Sequence, residues 1–215
     1  AKSIAGLAED VTVSLVGYRG EPCVPEVQEH ARIKQHLFSP YTTSLPRSML
    51  VLYAPLKVLV LVWRLASILL FEIPAPDFIL VQNPPSIPAL ALVWLASLLR
   101  GSRMVVDWHN FGYTVLSQTM GDGHPFVLIS RAYERFFAGR AHAHLCVTKA
   151  MRDWMSSNWG VTPVVLYDKA PHFFHETSLA ERHELFTRLD KQLSEARGKL
   201  EGFCKGGGEG ATLFT

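Results

Sequence analysis

The chain has 215 residues, of which 48% are hydrophobic and only 19% are charged, and its formal net charge is +2. This length suffices for one large domain with its own core, or for one domain and a tail. Because an ordinary soluble domain carries about 25% charged residues, the composition favours a membrane-associated or unusually buried protein. The small net charge, without a long basic run, argues against a nucleic-acid-binding protein.

Predicted strands and helices alternate along the chain. Apolar, β-branched runs predict strands at residues 11–16, 77–82, 103–107, 143–147 and 162–167. Apolar-periodic segments predict helices at residues 87–99, 125–138 and 148–157. The range 20–46 contains four prolines and is predicted to be loop with short structure. This alternation predicts an α/β fold, a Rossmann-like parallel sheet with helices on both faces.

Single residues mark several of the predicted ends. Gly17 is expected to end the first strand, and Gly101 to end the helix at 87–99. Pro125 is expected to open one helix, and Thr148 to cap the next.

Residues 49–71 form the most apolar segment of the chain. Its length suits a membrane span, but Lys57 and Arg64 near its middle each cost about 2.5–3.5 kcal/mol on insertion scales. The two charges are seven positions apart and therefore lie on one face of a helix. Three interpretations stay open: a helix lying in the membrane interface with Trp63 near the headgroups, which is favoured, a core helix, and a span. We assign Lys57, Arg64 and Trp63 as candidate contacts to membrane or phosphate.

The C-terminal part predicts a helix and a linker. Ser178 and Glu181 form a capping box, and apolar residues follow at helical spacing. Residues 194–215 predict a flexible linker. We therefore expect a Rossmann-like domain over residues 1–170, and a helix with a linker over residues 171–215.

The segment 107–113, with the sequence Asp-Trp-His-Asn-Phe-Gly-Tyr, is the strongest candidate for chemistry. It follows a predicted strand, and ligands of parallel sheets bind beyond the carboxyl ends of the strands. An imidazole suits proton transfer at neutral pH, so His109 or Asp107 is a candidate base. The alternative is that Asp107 only caps the loop and His109 is a partly buried structural residue. The loops 83–86, 108–124 and 168–172 are expected at the same edge of the sheet.

The sequence contains no recognisable motif for binding a metal ion or a cofactor. The three cysteines form no C-x-x-C pair, and their odd number suits free thiols. Sequences of the types G-x-x-x-x-G-K-[ST], G-x-S-x-G, H-E-x-x-H, G-x-G-x-x-G and D-x-D are absent. We therefore expect neither a metal ion nor a cofactor.

Four segments in order resemble one enzyme family. They are residues 81–88 (Val-Gln-Asn-Pro-Pro-Ser-Ile-Pro), residues 107–113, residues 145–152 (Leu-Cys-Val-Thr-Lys-Ala-Met-Arg) and residues 167–171 (Tyr-Asp-Lys-Ala-Pro). Together they resemble the chitobiosyldiphosphodolichol β-mannosyltransferases, which are two-domain GT-B glycosyltransferases. The resemblance extends from about residue 1 to about residue 190.

The resemblance implies transfer of mannose from GDP-mannose to dolichol-linked chitobiose, with inversion to a β-1,4 linkage. This step of lipid-linked oligosaccharide synthesis for protein N-glycosylation takes place at the endoplasmic reticulum membrane, on its cytosolic face. The resemblance also implies that an N-terminal anchor, a first strand and the donor-binding C-terminal domain lie outside this chain. We then expect the chain to be an N-terminal, acceptor-side fragment that is inactive alone. Other glycosyltransferases of the pathway are possible partners.

Under this resemblance, His109 is the preferred base and Asp107 the alternative. The acceptor-binding candidates are Trp108, Asn110, Tyr113, Asn83, Asp168 and Lys169, although the last two can equally form a simple surface ion pair. Lys57 and Arg64 would face lipid phosphates or the diphosphate of the acceptor. Two rival functions stay open: another GT-B transferase acting on a lipid-linked sugar, and a non-catalytic, membrane-docked binding module.

Overall fold

The computed structural model describes residues 2–6, 10–39, 50–170 and 174–206. The chain forms two compact units, Ala1–Asp168 and Lys169–Thr215. The domain boundary expected near residue 170 lies beside this division. The expected role of either part toward a donor-binding domain stays a prediction.

The first unit is an α/β fold built on parallel strands. Its elements in chain order are α1 (Lys2–Ala5), β1 (Val13–Tyr18), α2 (Pro25–Gln28), β2 (Ile33–Phe38), α3 (Leu50–Ser67), a π-helical turn (Ile68–Glu72), β3 (Phe78–Asn83), α4 (Ala89–Arg100), β4 (Arg103–Trp108), α5 (Gly112–Met120), α6 (Pro125–Ala138), β5 (Ala143–Cys146), α7 (Lys149–Trp159) and β6 (Val164–Val165). β1 pairs with β2 in one sheet, and the second sheet has the order β3-β4-β5-β6. All pairs are parallel. The predicted α/β class, with parallel sheets flanked by helices, is confirmed.

One hydrophobic core covers one face of the four-stranded sheet. Along β3 and β4 every second residue is buried, as the two-residue period of a strand requires. α4 packs against these strands, and the π-helical turn and α6 pack against α4, with Leu69, Leu90 and Phe137 among the buried side chains. This packing holds β3 and β4 side by side, so their carboxyl ends meet at one edge.

Several predicted helix ends are confirmed by their hydrogen bonds and dihedral angles. Gly101 ends α4 in the left-handed conformation, with φ of 69°. α6 begins at Pro125, and the Thr148 hydroxyl accepts a hydrogen bond of 3.1 Å from the Met151 amide as the cap of α7. Glycine, proline and threonine thus act locally, as their backbone preferences require.

The N-terminal strands differ from the prediction. β1 continues through Gly17 to Tyr18, because in-register pairing with β2 outweighs the weak strand preference of glycine. The predicted loop at 20–46 contains α2 and β2, although residues 40–46 lie outside the described ranges. Of the four prolines that predicted loop, Pro25 begins α2, Pro22 precedes it, and Pro40 and Pro46 lie outside the described residues.

The predicted loop at 108–124 was too long, because residues 112–120 form α5. The N-cap residue, Phe111, makes no side-chain capping bond, so the sequence carries no start signal for this helix. The loop that follows β4 is therefore short, which restricts the positions its side chains can take.

The segment predicted at 49–71 is helical wherever it is described, as α3 followed by the π-helical turn. Residue 49 lies outside the described residues. Within the part of the chain that the structure describes, no helix is both long enough and apolar enough to cross a membrane.

The second unit contains α8 (Leu179–Gly206). The predicted capping box is present: the Ser178 amide donates to Glu181 Oε2 at 2.8 Å, and the Glu181 amide donates to Ser178 Oγ at 3.3 Å. The prediction of a flexible linker was wrong for residues 194–206, which continue the helix α8. Its Leu, Glu, Lys and Arg residues favour helix strongly enough to offset the interior glycines. Residues 207–215 are outside the described part.

Candidate functional site

Two neighbouring strands bring the candidate residues to one edge of the sheet. In the parallel register of β3 and β4, Gln82 lies opposite Asp107 and Asn83 lies opposite Trp108. Both strands end there, so the segments after residues 83 and 108 leave the sheet side by side. This edge is where a parallel α/β sheet binds ligands.

Asp107 and His109 form a bonded pair at this edge. Nε2 of His109 lies 3.0 Å from Oδ2 of Asp107, and the side chains are 30% and 21% exposed, respectively. A carboxylate in this position fixes the orientation of the imidazole. The pair is therefore reachable from solvent and arranged as a base with an orienting carboxylate.

Asn83 is buried and holds the backbone of the same loop. Its carbonyl accepts hydrogen bonds from the amides of His109, at 3.0 Å, and Asn110, at 3.4 Å. Its side-chain Nδ2 donates to the Asn110 carbonyl at 3.0 Å. In this structure Asn83 thus fixes the loop from within, and its predicted contact with the acceptor stays untested.

The aromatic residues of the loop split into buried and accessible ones. Trp108 is fully buried, and its indole N–H donates to His144 Nδ1 at 3.2 Å. Phe111 packs between Trp154, at 4.8 Å between ring centroids, and Tyr113, at 5.6 Å. Because the Trp108 side chain is inaccessible here, it supports the loop, and its predicted contact with the acceptor stays untested.

Within the segment 107–113, Asn110 and Tyr113 are the predicted acceptor-binding residues that reach solvent. Asn110 is exposed and Tyr113 is half-buried. The guanidinium of Arg131 lies 5.7 Å from the centre of the Tyr113 ring. Desolvation raises the pKa of the Tyr113 hydroxyl, so this group stays a neutral hydrogen-bond donor and acceptor at neutral pH.

Glu134 is a residue of this region that the sequence prediction missed. It lies on α6 and is fully buried, and its Oε1 accepts a hydrogen bond from Ser86 Oγ. Burial raises the pKa of its carboxyl, and contacts with Ser86 and with the amides of Gly112 and Tyr113 offset part of that effect. The helical period places Glu134 on the same stripe of α6 as the buried Val127 and Phe137, so a glutamate on the apolar face was the signal that could have found it.

The remaining candidates lie elsewhere. Asp168 and Lys169 are exposed and follow β6, which is separated from β4 by β5. Lys57 and Arg64 line a groove of about 260 Å³ together with Tyr18 and Phe38, which end β1 and β2. Trp63 on the same helix is 72% exposed.

Metal ligation has no evident site in the described ranges, where no group of three or more His, Cys, Asp or Glu side chains is arranged to hold an ion. Cys23 and Cys146 are free thiols, as their spacing predicted.

Comparison with known proteins gives a family match over residues 2–166, to the family described as glycosyl transferase 4-like domain. The chain belongs to this glycosyltransferase family. The match includes the whole strand edge that carries Asp107 and His109.

Several known proteins are similar to this glycosyltransferase chain, three of them as follows. The chain is 40% identical over 146 residues to human chitobiosyldiphosphodolichol beta-mannosyltransferase. This matched region covers 68% of this chain and 30% of the human protein. It is 38% identical over 186 residues to the Yarrowia lipolytica protein of the same name, covering 84% and 40%. It is 40% identical over 188 residues to the Arabidopsis thaliana protein named UDP-glycosyltransferase TURAN, covering 86% and 40%.

These relatives confirm the resemblance carried by the four segments. The glycosyltransferase chain spans between 30% and 40% of the length of the three relatives.

Proposed function

We propose that this chain is the acceptor-side portion of an inverting β-mannosyltransferase that transfers mannose from GDP-mannose to chitobiosyl-diphosphodolichol. The observation that carries the proposal is the Asp107–His109 pair at the ligand-binding edge of a glycosyltransferase domain. The names of the human and Yarrowia relatives support the dolichol-linked chitobiose as acceptor.

In this proposal His109 is the general base. Inversion in a single displacement requires a group that takes the proton of the attacking acceptor hydroxyl. His109 takes that proton at Nδ1, because Nε2 is already bonded to Asp107. The Asp107 carboxylate then stabilises the imidazolium.

Asn110 and Tyr113 hold the acceptor sugar. Asn110 is exposed beside His109 and offers an amide to sugar hydroxyls, while Tyr113 offers both a ring face and a hydroxyl. Asn83 and Trp108 act from beneath the loop in this arrangement. Asp168 and Lys169 remain candidates for a contact further along the edge.

α3 places the domain against the endoplasmic reticulum membrane, on the cytosolic side. Exposed apolar side chains on this helix include Leu59 and Trp63, which favour contact with lipid over water. Lys57 and Arg64 lie in one groove of the same helix and supply positive charge for a lipid phosphate or for the diphosphate of the acceptor.

A second candidate function is favoured by one comparison. The Arabidopsis relative is named a UDP-glycosyltransferase, which implies a UDP-sugar in place of GDP-mannose. The donor is therefore the point on which the two candidate functions differ, because both use the same acceptor-side chemistry.

The experiment is a transfer assay with the complete gene product on membranes. Chitobiosyl-diphospho-lipid is supplied with GDP-mannose, UDP-glucose or UDP-N-acetylglucosamine in separate reactions, and the 215-residue chain is assayed in parallel. We expect transfer from GDP-mannose alone, and no transfer by the 215-residue chain.

Each other outcome selects a different function. Transfer from a UDP-sugar only would establish the second candidate. Acceptor binding by the complete gene product without transfer from any donor would indicate a non-catalytic binding module.

A further inference from the structure

We propose that Glu134 is a positioning residue: it anchors the first turn of α5 and thereby sets the geometry of the loop that carries His109. This inference rests on the proposed function, since it concerns the same site. It starts from a buried charge. Among the described residues, Glu134 is the only charged side chain in the buried set, and a buried carboxyl requires compensating partners.

The partners of Glu134 come from both segments that leave the sheet at the site. Ser86, in the segment after β3, donates a hydrogen bond to Oε1. The amides of Gly112 and Tyr113, in the first turn of α5, and the side chain of Asn83 also favour the ionised carboxyl. Among the described residues, Oε2 has no hydrogen-bond partner, so the carboxyl is only partly satisfied.

α5 depends on this carboxyl because it lacks a cap of its own. Its N-cap residue is Phe111, which makes no side-chain capping bond. The amides of a first helical turn need an acceptor, and they carry the positive end of the helix dipole. Glu134, from a neighbouring helix, supplies the negative group that a local Ser or Asp usually provides.

The fit between Glu134 and α5 leaves room only for glycine. A Cβ atom at residue 112 would lie 2.6 Å from Oε1 of Glu134, and closer still to Oγ of Ser86. Gly112 is thus required for close approach of the helix to the carboxyl, rather than for an unusual backbone angle. This is an observation independent of the burial of Glu134.

The same residues lead to His109. Asn83 faces Glu134 through its side chain, and its carbonyl accepts the His109 amide at 3.0 Å. Gly112 is three residues from His109 along a short loop. A shift of α5 therefore moves the imidazole relative to the acceptor, and a misplacement of about 1 Å can cost about a hundredfold in rate.

The test compares Glu134→Gln with wild type in the complete gene product. Glutamine keeps the shape and one acceptor oxygen but removes the charge that faces the α5 amides. We expect kcat for mannosyl transfer to fall about ten- to hundredfold with a small change in KM for the acceptor. Hydrogen exchange of the peptide covering residues 109–116 should become faster. Ser130→Ala, a buried polar residue one turn earlier on α6, is the matched control and should change neither quantity.

Two further variants keep the test decisive if one of them folds poorly. Ser86→Ala removes the donor to Oε1, and Gly112→Ala displaces the carboxyl from the other side. Both should accelerate exchange over residues 109–116 and lower kcat in the same direction as Glu134→Gln.

The outcomes separate this inference from the proposed function. Unchanged exchange in Glu134→Gln, or faster exchange with wild-type kcat, overturns the positioning role. If the wild-type protein transfers no mannose, the proposed function fails, and the imidazole resonances of His109 decide the inference. They should shift in Glu134→Gln and stay in place in Ser130→Ala, and equal spectra would overturn it.

Discussion

His109 is the residue on which the proposed reaction depends most directly. His109→Ala should lower kcat by about 10²- to 10⁴-fold, the usual contribution of a general base, while the fold is retained. His183→Ala, on the exposed surface of α8, should leave transfer unchanged. The measurement is initial-rate transfer together with the thermal unfolding midpoint of each variant.

Asp107→Asn separates the two candidate bases. The amide keeps the shape of the carboxylate but cannot stabilise an imidazolium, so transfer should fall while acceptor binding persists. Wild-type kcat in His109→Ala combined with a large loss in Asp107→Asn would make Asp107 the base.

Glu134 predicts a dependence of stability on pH. Burial raises the pKa of its carboxyl above the usual value of 4.5, so the folded state holds this proton more tightly than the unfolded state. The stability from this proton is complete below the unfolded-state pKa and is lost as pH rises through the folded-state pKa. The unfolding free energy of wild type, minus that of Glu134→Gln, should therefore be larger at pH 4 than at pH 8.

Urea unfolding at both pH values measures this difference, and Glu181→Gln is the comparison with opposite sign. Hydrogen bonds from Ser178 lower the pKa of Glu181, so its contribution is present at neutral pH and is lost as pH falls. An equal wild-type advantage over Glu134→Gln at pH 4 and pH 8 would contradict the prediction. At neutral pH, Glu134→Gln should compare better with wild type in unfolding free energy than it does at pH 4. If the variant still transfers mannose more slowly at neutral pH, Glu134 acts by positioning the loop and not by stabilising the fold.

At the scale of single residues, the sequence predicts what depends on neighbours in the chain. Asp107 ends a predicted strand and His109 follows it two positions later, so the sequence alone places both at one edge of the sheet. The partners of Glu134, Ser86 and Gly112, could not be found in this way, because they are far from it in sequence. The burial of Trp108 likewise depends on β5 and α7, which lie beyond the loop.

At the scale of elements, Gly101 offers a test of a local signal. It adopts φ of 69° with nothing within 4 Å of an added Cβ, so Gly101→Ala is opposed only by backbone strain. This strain should cost about 1–2 kcal/mol of unfolding free energy. Gly123 is the matched control, since a Cβ there also meets nothing within 4 Å. Urea unfolding of both alanine variants should show a loss for residue 101 alone.

The predictions of helices and strands were right where a local residue marks an end. They were wrong where contacts between residues distant in sequence determine the structure. α6 begins at Pro125, and α7 follows its Thr148 cap, as predicted. α5 has no start signal and is held by contacts from another helix. β2 was predicted as loop with short structure because its order comes from pairing with β1, which lies earlier in the chain.

At the scale of the whole molecule, the composition and the structure agree on an apolar surface. The low charged fraction predicted membrane association, and α3 and its π-helical turn expose large apolar side chains such as Trp63 and Phe71. In addition, α4 exposes Leu98 and Leu99. These exposed apolar side chains favour contact with a lipid surface.

The membrane prediction is tested by introducing a negative charge on this surface. Leu59, Trp63 and Phe71 are 64%, 72% and 80% exposed, respectively. Burying one such side chain in lipid contributes about 1.5–3 kcal/mol, so Leu59→Glu should weaken vesicle binding about tenfold or more, and Trp63→Glu likewise. Co-sedimentation of the chain with phosphatidylcholine vesicles containing phosphatidylinositol measures this loss.

The control for that experiment is Leu179→Glu. Leu179 is 78% exposed and belongs to the second unit. Leu179→Glu therefore introduces the same charge and removes the same apolar side chain as Leu59→Glu, at a site outside α3. If Leu179→Glu weakens binding as much as Trp63→Glu does, the effect is one of charge alone and α3 is not the membrane-facing helix. If only the α3 variants lose binding, the exposed apolar side chains of α3, Leu59 and Trp63 among them, are the ones that contact lipid.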